Sequence, residues 1–130
     1  MATRHSRSAA QHFAMTFGVI YLLIGILGFI LVADADDKLL GVFTLNLAHN
    51  IVHVVIGGAL LVSTSSHATA KRVNLIVGLV YAVVALLGIV DVLVDDLLEA
   101  NLADDYLHLA TGTLAIFFGT IGAEGERSYG

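Results

Sequence analysis

The chain has 130 residues, 58% of them hydrophobic and 13% charged, where a soluble domain carries about a quarter charged residues, so the balance is that of a membrane protein with room for one small domain. The mean hydropathy of +0.90 agrees. The lack of cysteine excludes disulfides, thiolate metal sites and thiol catalysis, and a formal net charge of −5 with scattered Lys and Arg leaves no basic patch for nucleic acid.

In chain order, the first apolar run covers residues 13–33. Basic residues precede it and Ala33-Asp34-Ala35 has the look of a cleavage site, but the run exceeds the roughly 7 to 15 residues of a signal sequence and reads as a retained helix. Further runs cover residues 42–62, 73–94 and 102–122. Each reaches the about 20 residues that cross a bilayer. Connections this short make neighbouring helices antiparallel, so the expected fold is all-α, a four-transmembrane-helix bundle within one membrane domain, 1–130. No proline interrupts any of the four runs.

Orientation follows from the basic residues. Arg4 and Arg7 precede the first run, Lys71 and Arg72 the third, and Arg127 follows the fourth, which places both termini in the cytoplasm of a multi-pass cell-membrane protein. The two links on the other side carry Asp34, Asp36, Asp37, Asp91, Asp95, Asp96 and Glu99 against the single cation Lys38. That acidic mouth reads as a solvated surface, or as a funnel that collects cations.

The chain also repeats itself. Residues 46–57, NLAHNIVHVVIG, lie over residues 101–112, NLADDYLHLATG, and Gly18, Tyr21 and Gly28 lie over Gly78, Tyr81 and Gly88. The halves 13–62 and 73–122 are therefore two tandem helical hairpins, expected to be related by a pseudo-two-fold axis along the membrane normal. His49 then corresponds to Asp104 and His53 to His108. With helices two and four facing that axis, and Gly57 and Gly112 at their crossing, the three imidazoles and one carboxylate converge, because polar side chains turn away from lipid.

This polar face supports three readings. Asn46, Asn50, Asn101 and the histidines can hydrogen-bond across helices as packing contacts, each worth about 0.6 kcal/mol, in a scaffold or accessory subunit. A metal site of His49, His53, Asp104 and His108 is the second, since a His-x-x-x-His pair aims two ring nitrogens at one ion. Asn46, Asn50, Asn101 and Asp105 would then be its outer polar partners, and thiolate-free ligands suit zinc, iron, manganese or copper. The third is a haem held between His53 and His108, with Gly57 and Gly112 making room for the macrocycle. His5, His12 and His67 read as solvated, and Tyr21 and Tyr81 as packing or interface anchors. No nucleophile with a base, phosphate loop or acid and base pair argues for an enzyme. The expected partner is the lipid bilayer, with a homo-oligomer or larger membrane complex left open.

The pattern Phe43-x-x-Asn46-x-x-His49-Asn50-x-x-His53-x-x-x-Gly57, followed by Asn101-x-x-Asp104-x-x-x-His108-x-x-x-Gly112, resembles that of a family of small actinobacterial four-helix membrane proteins described as a domain of unknown function. The resemblance spans nearly the whole chain. It implies an integral membrane protein with these polar positions as its hallmark, and brings no activity, substrate or cofactor. Asp105-Tyr106 departs from the pattern, where an Asn followed by an aromatic residue is expected.

Overall fold

The computed structural model describes residues 6–31, 38–90 and 100–120. Its order is α1 (Ala9–Leu31), β1 (Lys38–Leu39), β2 (Phe43–Thr44), α2 (Leu47–Ser63), α3 (His67–Ile89) and α4 (Leu102–Gly119). Apart from the short antiparallel pair β1–β2 the described fold is helical. Two helices, α1 and α3, are long and apolar enough to cross a membrane, at 23 residues each, or about 34 Å at 1.5 Å per residue. Arg4, Arg127 and the acidic residues Asp34, Asp36, Asp37, Asp91, Asp95, Asp96 and Glu99 lie outside the described residues.

Polar caps set where the helices begin, and explain why the observed starts depart from the apolar runs. At α1, Ser8 Oγ accepts from Gln11 N–H at 3.3 Å and Gln11 Oε1 accepts from Ser8 N–H at 2.9 Å, a reciprocal box that starts the helix ahead of residue 13. At α2, Asn46 Oδ1 accepts from His49 N–H at 2.8 Å, so the helix starts at Leu47 while Phe43 and Thr44 pair with Leu39 and Lys38. The apolar run from residue 42 is thus part strand and part helix. Between them the chain turns through Leu40 and Gly41, both at positive φ, which is inexpensive only for the glycine. Ser66 caps α3 through Thr69 N–H, leaving a turn at 64–66 and bringing Lys71 and Arg72 inside the helix.

The helices pack mainly as two pairs, α1 with α2 and α3 with α4. Small residues let the backbones touch. A Cβ added at Gly57 would meet Leu22 N and Gly18 O, and one at Gly112 would meet Ala82 N and Gly78 O. The close crossings attributed to Gly57 and Gly112 therefore lie within each hairpin, and not between α2 and α4 as expected from the sequence. The reason is geometric: the glycines follow the histidines by four residues but turn toward the antiparallel neighbour, leaving the imidazoles to fill the space between the pairs.

The two pairs are held together at both ends and through a shared core. At one end Asn74 Nδ2 donates to Ala10 O at 3.0 Å, joining α3 to α1, while Gln11 Nε2 donates to Thr64 O at 2.9 Å and ties α1 to the end of α2. At the other end Asn101 Nδ2 donates to Val42 O at 2.7 Å, joining the start of α4 to the β1–β2 turn. Between these ends Ala10, Ala14, Tyr21, Leu60, Ala70, Val77 and Tyr81 form the apolar core. Outward, every helix presents large apolar side chains, among them Ile30, Val55, Ile76 and Leu114.

Candidate metal centre

Three imidazoles meet inside the bundle. His49 and His53 are one helical turn apart on α2 and so share a face, and His108 reaches them from α4; all three are at most 2% exposed. The ring centroids of His49 and His53 are 4.4 Å apart, and each lies 5.9 Å from that of His108. One ligand nitrogen can be chosen from each ring such that all three fall within 4.8 Å of one another. Neither ring nitrogen of His53 or of His108 has a hydrogen-bond partner among the described residues. Such nitrogens are costly in an apolar interior unless something satisfies them.

Asp104 stands beside this trio and outside it. Its Oδ1 lies 4.0 Å from His49 Nε2, and its Oδ2 accepts from Asn101 N–H at 3.1 Å. Asn101 Oδ1 in turn accepts from the Asp104 and Ala103 N–H groups, each at 3.1 Å. One carboxylate therefore serves both the capping box of α4 and the edge of the histidine cluster.

Two tyrosines close the other side. The Tyr81 ring stacks on His108 at 4.8 Å, and Tyr21 meets His53 edge-on at 5.2 Å, with 5.1 Å between the tyrosines. Tyr21 Oη–H donates to Thr111 Oγ1 at 2.9 Å. These tyrosines are interior residues at the cluster, which rules out the role of interface anchor for them; their burial comes from lying in the stripes of α1 and α3 that face the other helices. Thr111 was not singled out from the sequence, although its position one turn after His108 carries the signal.

The outer polar residues are placed in two ways. Asn46 and Asn101 cap α2 and α4. Asn50 and Asp105 are buried against α1 and α3, where a Cβ at Gly28 would run into the Asn50 carboxamide and one at Gly88 into the Asp105 carboxylate. His12 and His67 are exposed, and His5 lies outside the described residues.

The chemistry of this donor set suits a metal ion better than a haem. Three neutral imidazoles with a nearby carboxylate match nitrogen-rich zinc, copper or iron sites. Axial histidines of a haem stand on opposite faces of the macrocycle, whereas here His49 packs against His53, and Tyr21 and Tyr81 fill the space beside His53 and His108.

Fold and site together define a helical protein with two membrane-capable helices and a buried histidine cluster that could hold a metal. Residues 11–121 match the family model described as "Domain of unknown function (DUF4383)", and the chain belongs to that family. No curated protein and no solved structure matches it.

Proposed function

We propose that the protein is a four-span membrane bundle that binds a divalent transition-metal ion through His49, His53 and His108. The observation that carries this reading is the meeting of three buried imidazoles, two of them with ring nitrogens that have no hydrogen-bond partner among the described residues. An ion at their centre would satisfy those nitrogens, and modest side-chain rotation would draw them from within 4.8 Å of one another to the roughly 3.3 Å spacing that tetrahedral zinc–imidazole bonds of about 2.0 to 2.1 Å require.

The spanning role of all four helices is supported by an inverted distribution of polarity. His49, Asn50, His53, Asn74, Asp104, Asp105, His108 and Thr111 are buried while Leu23, Ile30, Val55, Val83, Leu86 and Phe117 face outward. A soluble protein avoids a continuous exposed apolar surface of this kind, whereas in lipid the polar groups turn inward. The tandem-hairpin reading is supported by matched contacts: Gly18 with Gly57 and Gly78 with Gly112, Gly28 with Asn50 and Gly88 with Asp105. With the basic residues inside, the histidines belong to the outer half of the membrane.

Elemental analysis of detergent-purified protein, after growth with added zinc, iron, manganese or copper, tests the proposal. One ion per chain is expected, lost in His53→Asn and His108→Asn. If no metal copurifies and a chelator leaves thermal stability unchanged, the polar face is a packing network and the metal reading fails.

A further inference from the structure

We infer that the ion has an exchangeable fourth ligand, water at rest and replaceable by a small inorganic anion, and that Asp104 positions His49 instead of ligating the metal. This rests on the metal reading of the histidine trio. A centre with four protein ligands is closed, whereas three histidines leave a fourth position for water or another small molecule.

The placement of Asp104 separates these cases. His49, His53 and His108 form a group whose ligand atoms lie within 4.8 Å of one another, and Asp104 is outside that group. Both carboxylate oxygens face other groups. Oδ2 is held by Asn101 N–H at 3.1 Å, which ties it to the first turn of α4, and Oδ1 faces His49 Nε2 at 4.0 Å. A carboxylate hydrogen-bonded to the far nitrogen of a ligating imidazole fixes the ring's tautomer and orientation, and a small rotation of His49 that closes the 4.0 Å approach to Asp104 Oδ1 would make that bond. In that arrangement His49 presents Nδ1 to the ion. Bidentate ligation by Asp104 would take Oδ2 from Asn101 N–H and open one arm of the α4 capping box. Tyr21 and Tyr81 pack ring against ring on His53 and His108, and the tight burial of the trio restricts the fourth ligand to a few atoms.

Cobalt(II) is the probe, because the visible absorption of a tetrahedral cobalt centre reports its donor set. Purified wild-type protein loaded with one cobalt per chain should change its visible spectrum on titration with sodium azide, in a saturable way, and should not respond to the bulkier ligand 1,2-dimethylimidazole. In Asp104→Asn the carboxamide oxygen can still accept from Asn101 N–H, so the helix cap survives. The variant should keep the cobalt band positions and the azide response while its cobalt affinity falls by roughly 10- to 100-fold, the usual effect of losing an outer carboxylate.

A wild-type protein that holds cobalt stoichiometrically but is indifferent to azide overturns the inference while leaving the metal site intact. So does an Asp104→Asn spectrum showing a lost oxygen donor, with azide binding only in the variant. A wild type that binds no cobalt removes the metal reading itself, a result seen in the stoichiometry before any azide is added.

Discussion

His53 and His108 are the residues on which the metal site can be tested most directly. Each is buried with no hydrogen-bond partner for its ring nitrogens among the described residues, so asparagine there removes a metal donor without breaking a described bond. Thermal unfolding of the metal-loaded wild type should occur at higher temperature than after chelation, since an ion that binds only the folded state stabilises it by mass action. In His53→Asn and His108→Asn that difference should vanish. The pH dependence has a definite sign. An ion needs the imidazole lone pairs that protons also seek, so affinity measured by competition with a metallochromic chelator should fall as the pH is lowered.

At the scale of elements, the glycines of α2 divide into one that touches a neighbour and one that does not. A Cβ at Gly57 would meet backbone atoms of α1, which cannot rotate away, whereas a Cβ at Gly58 would meet nothing within 4 Å. Gly57→Ala should therefore push α1 and α2 apart and cost about 1 to 3 kcal/mol, the range for overpacking, while Gly58→Ala should be neutral or slightly stabilising. Reversible unfolding in mixed micelles measures both. Asn101 offers a second test, because it caps α4 and also bonds to Val42 O. Asn101→Ala should lose about 1 kcal/mol for the cap alone and loosen the β1–β2 turn, seen as faster amide exchange at residues 43 and 44.

For the whole molecule the decisive test of the proposed four-span arrangement is which side of the membrane each end of α2 faces. The β1–β2 turn precedes α2 and the turn at 64–66 follows it, so the two lie at opposite ends of a 17-residue helix, about 25 Å apart. Cysteines replacing exposed Lys38 and Ser65 should react with an impermeant maleimide from opposite sides of intact cells, position 38 from outside and position 65 only after the membrane is opened. Labelling of both from one side would mean that α2 does not span, and the polar face would then need another shield from water.

Much of the architecture is local and was legible in the residues. Apolar runs of more than 20 residues without proline favour helices at α1 and α3, and His49 and His53, four apart on a helix, share a face. The start of α2 was less legible, because residues 42–45 are apolar whether they pair as a strand or continue a helix; the Asn46 side chain on His49 N–H settles the matter. The same holds for Asn101, whose short polar side chain is equally suited to bridging helices and to capping one. Sequence alone determined which side chains lie on each helical stripe, since that follows from the periodicity of the backbone. Only the tertiary structure decided what each stripe meets: Gly57 against α1, Asn50 against Gly28, Tyr81 stacked on His108, and Asp104 held beside the imidazole trio by the cap of its own helix. Those pairings depend on how closely and at what rotation the helices pack, which side-chain volume across the interface controls and no single helix encodes.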